Sequence, residues 1–543
     1  MKNLPMTLVV ALCASCSCDS TVAEPLDGGG DTADAAGLDG GPDRPDAARD
    51  GAPPPDDGGP ETDARVCVDA DGDGVTDCDG DCDDADRLTF PGAAEVCGDG
   101  VDNGCGSDPD PVATCAGIGT HVSPAGSDAT GDGTQANPVR TIGRGIQNAM
   151  TIGAPTTVVV AGGDYEETVT VVEGVSIVGG FDCASLPCGW AHAPATSIAT
   201  VDGLAANAVD VDDTVTRGTR LEHLTITSTT VGVAIRGGAP TLRSLSIDAR
   251  TGVQAFGTGT DPLIEDSTVL GESAAVTIEG AGVVRTSDLE GAPAIRVRGD
   301  VLIERNVVHA AGDSGIQVME GDPQILANMI NEDGARVGTC SFGFCSGVSV
   351  WGGSPYIANN VIYGMGGATS AAVAIVHGEL VVERPVINSN TLYVARNPGG
   401  SGSLNAAVSC ESFFGIAMFG EIRNNIVVGS SAGTSFGFYE VDDPATTCRP
   451  VLFEANLFTD VDHVARFQGS GGDDFTTSVA DANGESWGSM NAAGDPMLDG
   501  THHLMAGSPA IDIGVATDAP ATDRDGDARP SGGGYDVGAD ERL

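Results

Sequence analysis

The sequence predicts an all-β solenoid, and three observations carry that reading. The first is a repeat. Leu224, Leu245, Ser267, Ser287, Asn306, Asn328, Asn360, Asn390, Asn425 and Asn456 each stand between two short apolar runs, at steps of 21, 22, 20, 19, 22, 32, 30, 35 and 31 residues. A unit of that length cannot bury its apolar face alone and must stack on its neighbour. The second is alternation. Residues 232–236, 315–319 and 347–351 are short, rich in Val and Ile, and alternate as strands do. The third is the run of asparagines from Asn306 to Asn456. Asn tolerates a left-handed turn, and its amide bonds to backbone and to the next amide in a stack. These six asparagines therefore read as a structural ladder and not as catalytic groups.

The elements before the repeat follow in order. Residues 1–15 carry Lys2, the apolar run 8–12 and then small residues, a secretory leader too short to remain as a spanning helix. Its end, Leu12-Cys13-Ala14-Ser15-Cys16, resembles the lipobox of bacterial lipoproteins. That resemblance implies acylation of Cys16, with Cys18 as the alternative because Cys13 stands where the family carries Leu. Ser17, in place of Asp, implies the outer membrane, at the cell surface or its periplasmic face. Residues 16–66 are Asp, Gly, Ala and Pro with almost no large apolar side chain. Such a segment cannot bury a core and is expected to be a disordered tether. A coil of ~50 residues spans roughly 40 Å.

Residues 67–116 form an Asp- and Cys-rich module. Asp69, Asp71, Asp73 and Asp77 occupy positions 1, 3, 5 and 9 of a loop with Gly74 at position 6. Hard cations such as Ca²⁺ want six to eight oxygens, and glycine permits the sharp turn. Gly80 stands where an EF-hand carries Glu, so the loop is not of that type; Asp79, Asp81, Asp83 and Asp84 supply further carboxylates. The run 71–106 resembles a metal-binding-motif family of bacterial surface proteins, one member of which binds copper. The absence of His in 67–115, and cysteines expected as disulfides in an oxidising compartment, favour structural Ca²⁺ over copper. Outside this module the cysteines fall into close pairs, Cys183 with Cys188, Cys340 with Cys345, and Cys410 with Cys448. The pairing of the six within 67–115 is left open by the sequence.

Residues 117–500 carry the solenoid. The stretch 122–142, with Gly126, Asp128, Gly131, Asn137 and Pro138, resembles the opening of the pectin-lyase-like superfamily. The resemblance implies a single-stranded right-handed parallel β-helix. Ile142, Ile146 and Met150 lie four apart, one face of a short helix that would cover the open end. Residues 501–543 resemble the closing segment of the same bacterial β-helix proteins. Asp523, Asp525 and Asp527 there would either bind a cation or pair with Arg524 and Arg529.

Charge bounds the function. The net charge is −53, and the only lysine is Lys2, so the mature chain should repel nucleic acid and anionic membrane, touching the bilayer through its acyl anchor only. No oligomer signal is present and a monomer is expected. The repeats lengthen after Asn328, and 16 of the 23 aromatic residues lie between Phe342 and Phe475. Extra residues in a stacked repeat go to loops, often on the binding face. Phe342, Phe344, Trp351, Tyr356, Tyr363 and Tyr393 are thus the candidate ligand groove, with polysaccharide or extracellular matrix as partner. Lyases and hydrolases share the implied fold, but the Lys-dependent and Asn-Thr-Asp motifs of polygalacturonases are missing. Asp212/Asp213 and Asp442/Asp443 are adjacent residues, which point to opposite faces of a strand. The trio His377, Glu379 and Arg384 is a weak catalytic candidate. The sequence leans toward a binding or structural surface module, with a surface polysaccharide lyase or hydrolase as the alternative.

Overall fold

The computed structural model describes residues 75–76, 80–82, 89–93, 102–106, 119–153, 155–183, 185–312, 314–331, 344–365, 369–377, 384–394, 404–412, 418–430, 434–440, 448–469 and 472–543. The leader, Cys16 and the tether lie outside these residues. The chain divides into Met1–Arg65 and Val66–Leu543, and all that follows concerns the second unit.

Short Val- and Ile-rich strands wind into three stacked parallel sheets, a parallel β-helix of the hand that crossovers between parallel strands take. The first sheet has fourteen strands, from Thr120–Val122 to Gly488–Ser489. Its register, Thr241 beside Arg220, Leu263 beside Thr241 and so on to Leu452 beside Glu421, advances by the same residue counts as the marked repeat. After a sharp corner the chain enters the second sheet, in strands such as Val307–Ala310, Val361–Tyr363 and Ile426–Val428. The third sheet follows, in strands such as Ser314–Glu320, Phe344–Val350 and Thr434–Glu440. The longer coils add their residues at the two corners flanking the third sheet, for example between Ile330 and Phe344.

Strand alternation sends one residue of each short strand inward. In the first sheet these are Leu221, Leu242, Ile264, Val284, Ile303, Ile325, Ile357, Ile387 and Ile422, all buried in one column. Matching columns, Ile226 to Val427 and Val233 to Val408, line the other two sheets. At the C-terminal end the fillers become aromatic: Phe438, Phe453, Phe458, Phe467 and Trp487 pack ring on ring. Part of the aromatic enrichment is thus core.

The corner between first and second sheets is the most regular part of the chain. Asn306, Asn328, Asn360, Asn390, Asn425 and Asn456 are buried in it, and each side-chain oxygen accepts the backbone N–H of the previous rung at 2.8–3.0 Å. The amides also chain together at 2.9–3.0 Å. Two further rungs, Asn491 and Asn483, extend the stack. Ser267 and Ser287 replace the amide at the earlier coils. The left-handed residue is not the ladder Asn but the one before it. His223, Ser244, Asp266, Thr286, Arg305, Ala327, Asn359, Ser389, Asn424, Ala455 and Met490 all have φ between 49° and 58°. This corrects the reason given for Asn: its role is hydrogen bonding, and the left-handed strain falls on a neighbour of any type.

Both ends are covered. Helix α1, Ile142–Ile152, packs on the first coils; Thr141 caps its N-terminus, and Glu167 accepts the N–H groups of Ile142 and Gly143 at 2.7 and 2.9 Å. Its buried face is Ile142, Gly145, Ile146 and Ala149; Met150, expected there, is 57% exposed. At 100° per residue Met150 sits roughly 80° from Ile142, off the edge of the face. Gly145 is needed because a Cβ would meet Val122 Cγ2 at 2.5 Å. At the other end lies α2, Val479–Gly484, whose Asn483 carries the last rung.

Residues 501–543 do not sit on the end of the helix. They run back along its flank as a strap. Asn424 exchanges hydrogen bonds with Val515 in both directions, Asn388 donates to Asp518 O, and Asn359 donates to Thr522 O. The strap is knotted around Arg529, which is fully buried and reaches Glu541, Asp536 O and Gly538 O. Burial pushes the Glu541 carboxyl up and the Arg529 guanidinium down, against their mutual attraction.

Replacing Asn390 by Ala strips the Asn360 N–H and the Ile357 carbonyl of their partners inside a dry corner. The expected loss is roughly 3 kcal/mol in unfolding free energy by chemical denaturation. A Val307→Thr change at an exposed second-sheet position serves as the near-neutral control.

Candidate functional site

Most of the acidic module lies outside the described residues, including Asp69, Asp71, Asp73, Asp77, Asp79, Asp83 and Asp84. Asp81 is described. Beside it Cys82 forms a disulfide with Cys105, and Asp102 accepts the Gly106 N–H at 2.9 Å. The sulfurs of Cys82 and Cys105 are oxidised and so are not thiolate ligands. Two further disulfides, Cys183–Cys188 and Cys410–Cys448, close loops in the β-helix. Cys345 is also disulfide-bonded, and Cys340 lies outside the described residues.

The four aromatic candidates whose side chains are described do not meet in one groove. Phe342 lies outside the described residues, and of Phe344 only the backbone, in strand Phe344–Val350, is described. Trp351 is half-buried just past that strand. Tyr356 points outward from the first sheet and donates to Asp518 O of the strap at 2.8 Å. Tyr363 and Tyr393 are buried, stacked at 4.3 Å between centroids. His502 bridges their hydroxyls, at 3.3 Å from Tyr363 and 2.9 Å from Tyr393. These three tyrosines hold the strap in place; their surfaces are spent on it. Asp212 and Asp213 fall in a turn, with Asp212 accepting from Thr214. Asp442, Asp443, Glu379 and the His377 side chain lie outside the described residues.

The open site is on the outer face of the first sheet. In that sheet the residue two before each corner position points away from the interior of the coil. Across five successive coils these residues are Glu222, Arg243, Glu265, Arg285 and Glu304, strand neighbours with alternating sign. Arg285 reaches Glu265 at 2.6 Å, Arg243 lies 3.7 Å from Glu265 and 3.9 Å from Glu222, and Arg220 meets Glu222 at 3.0 Å. Arg217, paired with Asp261 at 2.6 Å, forms one wall, and the corner residues Asp266, Thr286 and Arg305 form the other. The groove encloses about 480 Å³. It gathers five arginines beside the carboxylates of Glu222, Glu265, Asp266 and Glu304, a nearly balanced strip in a chain of net charge −53. Such a strip is the place where an anionic polymer meets least repulsion and finds planar, bidentate donors. The sequence carried this signal. Counting back two residues from the repeat positions yields the Glu/Arg alternation, but repeat reading by apolar pattern passes over charged positions.

Two family models match the chain. One, described as "Putative metal-binding motif", covers residues 81–111; the other, a protein family of unknown function (DUF1565), covers residues 124–342. No curated protein matches. Among solved structures the chain is similar to the A-module of mannuronan C-5 epimerase AlgE4 of Azotobacter vinelandii, at 14% identity and TM-score 0.40, covering 67% of this chain and 95% of that one. The AlgE6 A-module of the same organism gives 13% identity and TM-score 0.36, covering 65% and 93%. Pectate lyase Pel9A gives 14% identity and TM-score 0.38, covering 79% and 98%.

The Arg285–Glu265 pair is open to solvent on its arginine side, 43% exposed against 12% for the glutamate, so it adds little to stability, whereas Arg220–Glu222 is buried at 4% each. Glu265→Gln is expected to lower the unfolding free energy by less than about 1 kcal/mol. Denaturation curves at low and high salt should converge, since salt screens the remaining difference.

Proposed function

We propose that this chain is a surface lipoprotein, acylated at Cys16, whose β-helix binds acidic carbohydrate along the groove of its first sheet. The observation that carries this reading is the clustering of Arg217, Arg220, Arg243, Arg285 and Arg305 in one open channel of an otherwise strongly acidic molecule. The channel runs along the stacking axis, the direction in which an extended polymer would lie. The acidic tether lifts the folded part from the outer membrane, and the 67–116 module holds structural Ca²⁺ through its aspartates. A hydrolytic role is disfavoured by the pairing of the groove carboxylates. Glu222 and Glu265 each face an arginine at 3.0 Å or less, whereas glycoside hydrolysis asks for two carboxyl groups free for acid and base work.

The test uses the mature chain with Cys16→Ser, in Ca²⁺, on immobilised polyuronate and on a neutral glucan of equal length. Retention on the polyuronate alone is expected. The Arg243→Ala, Arg285→Ala double variant should weaken it at least tenfold, since each charge-assisted bond contributes about 1.5–3 kcal/mol. Retention unchanged in that variant would remove the groove from the proposal. New reducing ends or unsaturated uronates would make the protein an enzyme.

A further inference from the structure

The strap folds back on itself so that three residues far apart in sequence converge. His503 Nε2 lies 3.0 Å from Asp525 Oδ2, and these two donors together with a carboxylate oxygen of Asp540 all fall within 4.8 Å of one another. We propose that His503, Asp525 and Asp540 bind a divalent transition-metal ion, a site separate from the acidic module and from the groove ion pairs.

The donor geometry suits such an ion. Two ligands each about 2.0–2.1 Å from a tetrahedral ion stand roughly 3.3 Å apart, close to the observed separation. An imidazole joined to two carboxylates favours zinc-like ions over Ca²⁺, which takes oxygens only. The far side of the ring is already fixed, with Nδ1 at 2.8 Å from Thr501 Oγ1 and 3.6 Å from Asp499. Thr501 Oγ1 in turn donates to Asp499 Oδ1 at 2.9 Å, and a hydrogen-bonded partner behind a ligand imidazole is the usual device for aiming it at a metal.

Asp540 supplies an independent pointer. It is only 6% exposed, and its Oδ2 accepts the Leu504 N–H at 2.7 Å. Its other oxygen accepts no hydrogen bond, and among the described residues no arginine pairs with it. His503 and Arg529 meet its charge through space only, and a metal at the unbonded oxygen would add a direct bond. The remaining aspartates of the same loop are not equivalent. Asp523 Oδ1 is taken by the N–H groups of Asp525, Gly526 and Asp527, and its Oδ2 by Glu541 N–H. Of the three carboxylates singled out in the sequence, Asp525 alone joins the site.

Three protein ligands leave coordination positions open. Asp525 also walls a cavity of about 310 Å³ shared with Arg305, Met329 and Arg524, and Arg524 Nη1 is buried there without a hydrogen-bond partner. The open positions have room on that side for solvent or a ligand oxygen.

The experiment titrates the metal-free mature chain with Zn²⁺ in excess Ca²⁺, which saturates the all-oxygen sites, and counts bound zinc by equilibrium dialysis. The wild type should take up one equivalent more than His503→Gln, whose ring is exposed and whose loss leaves the strap folded. In the variant that equivalent should weaken on the order of a hundredfold or more, beyond the 10–100-fold of a lost outer-shell partner. With Co²⁺ in place of Zn²⁺, visible d–d bands should appear in the wild type and be absent from His503→Gln and Asp525→Asn. Equal zinc stoichiometry and affinity in wild type and His503→Gln would overturn the proposal, as would Co²⁺ spectra that do not change.

Discussion

The rest of the structure depends on the hydrogen-bonded corner between the first and second sheets. Each coil must reverse direction there within two residues, and it does so by placing one non-glycine residue in the left-handed region, from His223 to Met490. That conformation costs of order 1–2 kcal/mol per residue. The amide of the following Asn offsets it by taking the N–H of the coil below and giving its own N–H groups to carbonyls that would otherwise be buried without partners. Since each amide binds the next, one coil cannot shift without breaking two rungs. The ladder therefore fixes register, and register fixes everything projecting from the strands: aliphatic columns inside, charged rows outside.

The same corner has an outer side, and the strap uses it. Where the sequence doubles its amides, as in Asn359-Asn360 and Asn424-Asn425, the second of each pair enters the ladder and the first points outward to the strap backbone. Asn388 does the same work two positions before Asn390. Long apolar strands are not required to hold the C-terminal segment; backbone carbonyls of the strap meet the side-chain amides of Asn359, Asn388 and Asn424 on successive coils, and the stacked Tyr363 and Tyr393 clamp His502.

The strap in turn decides where the helix is open. It covers the corner from Asn424 back to the loop at Gly526, whose position lies beside Arg305. Coils before that point keep the outer face of the first sheet clear of the strap, and there the Glu222-to-Glu304 row lines a groove. The next three coils carry Leu326, Ala358 and Asn388 in the same row, and the charge that returns with Arg423 is taken by Glu421 and by Asp518 of the strap. The groove and the His503–Asp525–Asp540 cluster thus meet near Arg305, one made by the sheet and the other by the segment that ends it.

By itself the sequence determined the solenoid, its coil boundaries and the Asn306-to-Asn456 ladder, because period and residue type are local properties that repeat. It also carried the cysteine pairs Cys183–Cys188 and Cys410–Cys448, and the short helix before the first long strands. Only the tertiary structure decided what the outward residues do. Tyr356, Tyr363 and Tyr393 look like binding aromatics in one dimension, yet the strap that covers them begins more than a hundred residues after Tyr363. The charge row of the groove exists only when residues 19–22 apart become strand neighbours. His503, Asp525 and Asp540 converge only because the strap turns back around Arg529. Burial follows from local alternation, whereas contact between side chains distant in sequence follows from where the chain is led, and no periodicity records that.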